Sequence, residues 1–316
     1  MSRQFSDLPL PPGVDSGGLQ AVTLLVFTEG PAYAEDGSVY FSDIANNRIL
    51  KLDADGTHSV FREPSHRTNG NTFDAEGRIY HCEGAEFGPG GGRRLTRTTL
   101  TTDDYEVLTE RFDGARYNSP NDVCVDREGR VYFTDPRYGD RSDMEMEVEG
   151  VYRIDSNGKV TRIIEQPAIQ RPNGIAVTND ARTLYLIDSC PTVGGNRKIW
   201  AFDLDPAGNP SNQRVVFDFS PGRGGDGMRL DVAGNLYVAA GIMAPRGPHE
   251  TADVPPGIYV ISPIGELLAR IPVYEDVITN LAFGGADGKT LYITAGKTLF
   301  TARVSTAGQV VYPAWK

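Results

Sequence analysis

The sequence predicts an all-β fold, a six-bladed β-propeller with four-stranded antiparallel blades around a central channel. The first observation is a segment, DGSVYFSD at 36–43, that recurs in modified form along the whole chain. The later copies are EGRIYHCE (76–83), EGRVYFTD (128–135), ARTLYLID (181–188), GNLYVAA (234–240) and GKTLYITA (288–295). Their tyrosines are 40 to 55 residues apart, and periods of this length are typical of repeat architectures.

The second observation is an alternating stretch that follows the recurrent segment in several periods. Apolar and polar residues alternate with a period of two, which indicates half-buried strands. Examples are RILKLDADG, GVYRIDSNG, KIWAFDLDPAG and GIYVISPIG. Several short strands per period, joined by glycine-containing turns, are the plan of a propeller blade, and six blades close into a ring. A β-sandwich is the alternative, but it does not need so regular a period.

The domain organisation follows from the extent of the repeat. We expect residues 1–19 to form an N-terminal extension and residues 20–316 to form a single propeller domain. Inserts at 84–94, 136–149 and 241–256 are expected to form loops or lids over one face.

Composition narrows the classes of partner. The 316 residues include 42 Asp and Glu against 31 Lys and Arg, giving a net charge of −11. This balance argues against nucleic acid or an anionic membrane as a partner, because both need clustered basic residues. No apolar run approaches the length of a membrane helix, and MSRQFSDLPLPPG lacks the plan of a secretory signal. We therefore expect a cytoplasmic protein with a small-molecule substrate, and the oligomeric state is left open.

Cysteine usage points away from disulfide or metal chemistry. Three cysteines, widely spaced, form neither a disulfide framework nor a CxxC motif.

A polar residue stands at the same place in every repeat. The segments EGPAY, NGNTF, NDVCV, NGIAV, DGMRL and NLAFG each begin 11 or 12 residues before the tyrosine of their repeat. Equivalent positions at the start of the innermost strand should point toward the central axis. The sequence thus predicts a converging ring of side-chain oxygens from Glu29, Asn69, Asn121, Asn173, Asp226 and Asn280.

Counting back from each hairpin turn predicts a second polar ring. Asn121 and Asp135 are equidistant from the turn near Glu128 and should face each other across the antiparallel pair. The same count pairs Glu29 with Asp43, Asn69 with Glu83, Asn173 with Asp188, Asp226 with Ala240 and Asn280 with Ala295. Crowded carboxylates at the end of a channel would repel one another, and a cation would relieve this.

The donor types favour calcium as the cation. Carboxylates mixed with amide carbonyls suit Ca²⁺, which takes 6–8 oxygens in flexible geometry. Zinc prefers His or Cys, and the four histidines show no HxxxH or HExxH spacing, although Zn²⁺, Mg²⁺ or Mn²⁺ can be substitutes. Any one of these positions could simply suit a turn. The alternative for the whole ring is structural hydrogen bonding around a water-filled channel.

At these residues the sequence resembles the senescence marker protein / gluconolactonase / luciferin-regenerating enzyme family of six-bladed propellers. EGPAY, NSPNDVCVDREGRVYFTDPRYG, RPNGIAVTND and GDGMRLDVAGNLYVA all look like family motifs, and the similarity runs from about residue 20 to the C-terminus. The resemblance implies one catalytic divalent cation with Glu29, Asn173 and Asp226 as ligands. Asn121 is implied as a fourth ligand or a substrate contact.

The same resemblance implies a hydrolase and its base. Family members hydrolyse sugar lactones, aryl lactones or organophosphate fluorides. The family's general base maps onto Asp226, while relatives of the lactonase type also place a catalytic Asp at the position of Asp135. One departure concerns Glu83: many bacterial relatives have a His after it, whereas here GAEFGPGGG follows.

The expected activity is therefore metal-assisted hydrolysis of a small lactone, in which a carboxylate takes a proton from water. Asp226 is the first candidate for the base, and Asp135 is the second because a metal ligand has a lowered pKa. Arg116, Asn118, Asn69 and Asn121 are candidate substrate contacts. A non-catalytic propeller that binds a ligand or protein, and an organophosphate hydrolase using the same site, are the alternatives.

Other catalytic schemes fit the sequence poorly. It contains no GxSxG elbow, and GGADGKT at 284–290 is one residue short of a P-loop.

Overall fold

A computed structural model describes residues 25–88, 90–245 and 250–309, so the expected N-terminal extension lies outside the described residues. The chain folds into six antiparallel sheets arranged as blades, each numbered along the chain from its innermost strand outward. The predicted all-β propeller is confirmed, with one 3₁₀ turn, Ile44–Asn46, as its helical element in the described part.

The first three blades have four strands each. Blade 1 contains β1 (Thr28–Tyr33), β2 (Val39–Asp43), β3 (Arg48–Leu52) and β4 (His58–Arg62). Blade 2 contains β5 (Thr68–Phe73), β6 (Arg78–Glu83), β7 (Arg94–Thr99) and β8 (Asp104–Thr109), and a small hairpin of β9 (Arg111–Phe112) and β10 (Ala115–Arg116) follows it. Blade 3 contains β11 (Val123–Val125), β12 (Val131–Asp135), β13 (Gly150–Ile154) and β14 (Val160–Glu165).

The last three blades complete the ring. Blade 4 contains β15 (Pro172–Val177), β16 (Thr183–Ser189), β17 (Arg197–Leu204) and β18 (Pro210–Asp218). Blade 5 contains β19 (Gly225–Leu230), β20 (Leu236–Ala240), β21 (Gly257–Ile261) and β22 (Leu267–Pro272). Blade 6 is described with three strands, β23 (Ile278–Gly284), β24 (Thr290–Ala295) and β25 (Thr298–Arg303).

Hydrogen bonds between the first and last blades close the ring. The Thr28 N–H donates to the Gly296 carbonyl over 2.8 Å, and the Thr279 hydroxyl donates to the Thr28 carbonyl over 2.8 Å. Closure places blade 6 beside blade 1, so the six innermost strands surround a common axis.

The hairpin turns explain the recurring Asp and Gly of the repeat. In blade 3 the Asp126 carbonyl accepts the Gly129 N–H over 3.0 Å, and Gly129 has a φ of 77° that glycine adopts without steric cost. The Asp126 carboxylate accepts from Arg130 Nε (2.7 Å) and the Tyr132 hydroxyl (3.2 Å). The recurrent tyrosine therefore belongs to the blade core, where five of the six are buried and Tyr292 is half-buried.

Apolar side chains of neighbouring blades pack into the wedges between them. Between blades 2 and 3, Phe133 stacks on Tyr152 with ring centroids 5.3 Å apart, and Tyr117 meets both rings edge-on. All three cysteines are unpaired, as the sequence predicts. Within the described ranges, no helix has the length and apolar character needed to span a membrane.

Candidate active site

A cavity of about 350 Å³ lies at the end of the channel where the innermost strands begin. This volume is in the range of small-molecule sites. Five of the six residues of the predicted ring line it: Glu29, Asn69, Asn121, Asn173 and Asp226. The repeat thus brings together, from five blades, oxygens that are far apart in sequence.

The sixth ring residue, Asn280, supports the ring from beside the cavity. Its Nδ2 donates to Glu29 Oε2 over 3.2 Å, and its Oδ1 accepts the Leu281 N–H over 2.9 Å. Asn280 therefore orients the Glu29 carboxylate.

A glycine after four of the ring residues allows the innermost strands to approach closely. A Cβ at Gly30 would lie 2.4 Å from the Asn69 carbonyl oxygen, one at Gly70 2.5 Å from that of Asn121, and one at Gly174 2.4 Å from that of Asp226. These separations are too short for any side chain. The Glu-Gly, Asn-Gly and Asp-Gly pairs are thus a packing requirement of the ring.

We predict that Gly174→Ala destabilises the fold by about 3 kcal/mol or more, because the new methyl group meets backbone that cannot move aside. Gly158→Ala is the matched control: its Cβ meets no atom within 4 Å, but its φ is 79°. The control should cost about 1–2 kcal/mol, which is backbone strain alone. Urea unfolding measures both values, and equal losses would contradict the packing explanation.

The two carboxyl groups of the ring, those of Glu29 and Asp226, have raised pKa values. Burial and the neighbouring Asp226 carboxylate raise the pKa of Glu29 well above its usual value, against a 2.7 Å hydrogen bond from the Gly30 N–H. Burial raises the pKa of Asp226 to about 6, and the Arg223 guanidinium, 2.7 Å away, opposes this. The pair carries an unfavourable negative charge that a bound cation would offset.

The amide oxygens fit a hard cation as well. Asn69 Oδ1 is buried and has no hydrogen-bond partner among the residues that the structure describes, although buried oxygens normally have one. The Asn173 amide donates from Nδ2 to the Tyr138 hydroxyl over 3.0 Å, so its donor group is already used. Over the described ranges, no cluster of three or more His, Cys, Asp or Glu residues is placed to bind a metal. The donor set is two carboxylates with amides, which suits calcium better than zinc.

In five of the six blades the predicted second ring is wrong by one residue in register; in blade 3 the pairing begins only at Val123, so the pair Asn121 and Asp135 stays a prediction. The structure pairs Asp43 with Thr28, Glu83 with Thr68, Asp188 with Pro172 and Ala240 with Gly225. In blade 6, Ala295 pairs with Ile278 and Asn280 pairs with Thr294. Because side chains alternate between the faces of a strand, a shift of one residue turns the partner away from the ring. The four acids of the predicted second ring, Asp43, Glu83, Asp135 and Asp188, are fully buried and form hydrogen bonds with other groups.

Three of these acids cap the backbone that leads into an innermost strand. Asp43 accepts from the Val26 and Phe27 N–H groups, and Asp188 accepts from those of Gln170 and Arg171. In blade 3, Asp135 accepts from the N–H groups of Asn118 (2.8 Å) and Ser119 (2.7 Å).

The other two candidate substrate contacts, Arg116 and Asn118, do not line the cavity, and neither does the candidate base Asp135. Burial raises the pKa of Asp135 to about 7, but the carboxylate is held by backbone and does not line the cavity. Asn118 donates from Nδ2 to the Val148 carbonyl over 3.0 Å. Arg116 is half-buried near the glycine-rich loop, where its N–H donates to Glu145 over 2.9 Å. Asn118 and Asp135 therefore hold backbone groups, whereas the contact of Arg116 involves only its own backbone.

Several cavity residues escaped the sequence analysis. Tyr138, Arg197 and Arg223 line the cavity, together with apolar side chains such as Phe27 and Phe87. Tyr138, Phe87 and Glu250 come from the three inserts, which confirms that the inserts reach over one face. Arg223 stands three residues before Asp226, just ahead of the motif GDGMRLDVAGNLYVA, and that proximity was a usable signal.

Comparisons with known proteins agree with this architecture. Residues 27–297 match the family model described as SMP-30/Gluconolactonase/LRE-like region. A gluconolactonase of Zymomonas mobilis is 30% identical over 89% of this chain and 80% of its own length. A pentonolactonase of Haloferax volcanii is 27% identical over 84% of this chain and 80% of its own length.

A solved structure of a gluconolactonase from Xanthomonas campestris superposes with a TM-score of 0.73 at 29% identity, covering 90% of this chain and 87% of that one. The family match spans most of the chain and includes every residue of the predicted ring. This chain belongs to the SMP-30/gluconolactonase/LRE-like family.

Proposed function

We propose that the protein hydrolyses a small sugar lactone with the help of one divalent cation, calcium, held by Glu29, Asn121, Asn173 and Asp226. The observation that carries this proposal is the pair of buried carboxyl groups beside amide oxygens in a ligand-sized cavity. The names of the relatives, a gluconolactonase and a pentonolactonase, support the substrate class.

When bound, the cation would act as a Lewis acid on the lactone carbonyl. The chain's own residues do the proton transfer. Asp226 has a pKa of about 6 in the cation-free site, and a bound cation would lower it, so the carboxylate is ionised at neutral pH and accepts a proton from the attacking water. The water oxygen bonds to the carbonyl carbon, the ring C–O bond breaks, and Asp226 returns the proton to the departing ring oxygen. The product is a hydroxy acid.

Neighbouring residues hold Asp226 and the other polar side chains of the site in position. Arg223 Nη2 bonds to Asp226 Oδ2 over 2.7 Å, which fixes the carboxylate and favours its ionised form. Tyr138 holds the Asn173 amide, and Asn280 holds Glu29. Phe27 and Phe87 pack with ring centroids 4.9 Å apart at the cavity wall and limit the access of bulk water.

The proposal is tested by hydrolysis of D-glucono-1,5-lactone at varied calcium concentration. Asn173→Ala removes one amide oxygen, and the calcium concentration for half-maximal activity should rise by about tenfold or more. Asn157→Ala, in an exposed hairpin turn, is the matched control and should leave this concentration unchanged. A binding propeller without catalysis would show no turnover above the spontaneous rate, and that result would defeat the proposal. An organophosphate fluoride in the same assay tests the remaining alternative.

The cation-free protein should lose stability as pH rises. The raised pKa values of Glu29 and Asp226 mean that the folded state binds more protons than the unfolded state, whose carboxyl pKa values are near 4. Stability is therefore greatest at low pH and falls as pH rises through about 6. Melting temperatures in a chelating buffer between about pH 5 and about pH 8 check this. A flat profile, or the same slope in Glu29→Gln, would argue against the charge repulsion.

A further inference from the structure

One side chain of the cavity wall, Tyr138, has a hydrogen-bond donor that the proposed mechanism does not use. Tyr138 lies in the insert at 136–149, is half-buried, and lines the cavity together with Asn173 and Asp226. Asn173 Nδ2 donates to the Tyr138 hydroxyl oxygen over 3.0 Å. Among the described residues this is the one hydrogen bond of the phenol group, so its own O–H proton has no acceptor there.

The neighbouring carboxylate supports the direction of that hydrogen bond. Asn173 is also a hydrogen-bond donor to Asp226, and an ionised carboxylate can only accept. The amide nitrogen, rather than the amide oxygen, therefore faces both Asp226 and Tyr138. Because a hydroxyl group can accept one hydrogen bond and donate another, the phenol keeps its proton for a further partner.

Three contacts hold the phenol in a fixed position. The Glu86 carboxylate accepts the Tyr138 N–H over 3.2 Å, which ties this backbone to the insert at 84–94. The Arg171 guanidinium lies over the aromatic ring, 5.4 Å from its centroid. Asn173 holds the hydroxyl end. A donor that is already fixed before the substrate binds needs little reorganisation when charge develops beside it.

We propose that the Tyr138 hydroxyl donates a hydrogen bond to the carbonyl oxygen of the bound lactone, the atom on which negative charge develops as water attacks. This inference rests on the proposed function and adds a catalytic residue to it. The hydroxyl and Asp226 share the Asn173 amide, so a lactone whose carbonyl carbon is within reach of the base can also bring its carbonyl oxygen to the phenol. The O–H bond stays intact, and Asp226 remains the group that moves the proton.

The alternative is that the phenol serves only to hold Asn173. The two roles predict different kinetics. A phenol that only holds Asn173 would act through the affinity for calcium, and excess calcium would then restore the full rate. A donor to the developing negative charge acts in the transition state, so its loss lowers kcat even when the site is saturated.

Tyr138→Phe removes the hydroxyl and keeps the aromatic ring. At saturating calcium we expect kcat for D-glucono-1,5-lactone to fall by about 100-fold, while KM changes by less than about threefold. Tyr274→Phe, at a tyrosine that is 85% exposed, is the matched control and should leave both constants unchanged. Full recovery of kcat with added calcium would show that Tyr138 only holds Asn173, and the inference would be wrong.

Product binding provides a readout that does not need turnover. Gluconate carries negative charge on the oxygen that was the lactone carbonyl, so it should accept the same hydrogen bond. Calorimetry at saturating calcium should show that Tyr138→Phe weakens gluconate binding by about five- to tenfold, whereas Tyr274→Phe does not.

An unchanged kcat, or an unchanged affinity for gluconate, in Tyr138→Phe would overturn this inference and leave the proposed function intact. No hydrolysis of any lactone by the unsubstituted protein would instead defeat the proposed function, and gluconate binding would still report on the Tyr138 hydroxyl.

Discussion

Asp226→Asn should lower kcat/KM for D-glucono-1,5-lactone by at least about a thousandfold, which is in the range of losing a general base. The substitution keeps the size of the side chain but removes both its charge and its ability to accept a proton. Asp226 also contacts Arg223 and lies near Glu29 in the buried site, so the variant loses one of the two carboxylates of the ring. Initial rates of acid release, corrected for spontaneous hydrolysis, measure the effect.

Two further variants make this prediction specific. Asp218→Asn, at an exposed position of β18, changes the same chemical group away from the cavity and should leave kcat/KM unchanged. Asp135→Asn breaks the contacts with the N–H groups of Asn118 and Ser119 and should mainly lower stability. Should Asp135→Asn abolish turnover in a folded protein while Asp226→Asn retains it, the base would be Asp135.

Removal of the cation should have the second-largest effect: chelation should abolish turnover and lower the melting temperature together. At a calcium concentration of about 100 times the dissociation constant, binding stabilises the folded state by about 2.7 kcal/mol. For a chain of this size that free energy corresponds to a shift of about 4 °C. Differential scanning calorimetry with and without calcium measures the shift.

The variant that tests this explanation is Glu29→Gln, which retains the shape of the site and loses one of the two carboxylates of the ring. Its calcium-dependent shift should shrink markedly, whereas Glu106→Gln, at a largely exposed carboxylate of β8, should keep the full shift. Full turnover in the chelated protein would show that the converging oxygens serve hydrogen bonding around the channel. Recovery with zinc but not calcium would correct the identity of the cation.

The number of blades, the turns and the inner ring could be predicted because they are repeated local patterns. The tyrosine spacing gives six blades, and the Asp-to-Gly turns that join their strands involve residues three apart. The prediction of the inner ring needed only the assumption that equivalent positions in each repeat have equivalent surroundings. That assumption holds for five of the six residues, from Glu29 to Asp226.

The second ring could not be predicted because of a bulge in the innermost strands. In blade 1, Ala32 pairs with Tyr40, as counting from the turn requires, but Glu29 pairs with Ser42 because the register shifts between Glu29 and Ala32. Corresponding shifts occur in blades 2, 4 and 5. One extra residue re-aims the side chains beyond it, and counting along the sequence does not reveal where it is inserted.

Periodicity is enough to predict a propeller with oxygen-bearing residues at one end of its channel. The acids that face the channel, and the presence of Tyr138, Arg197 and Arg223 in the cavity wall, become known only from the folded structure. Those three side chains belong to segments of different blades, and their proximity depends on how the blades pack and on a one-residue register. Neither quantity is encoded in the spacing of a repeat.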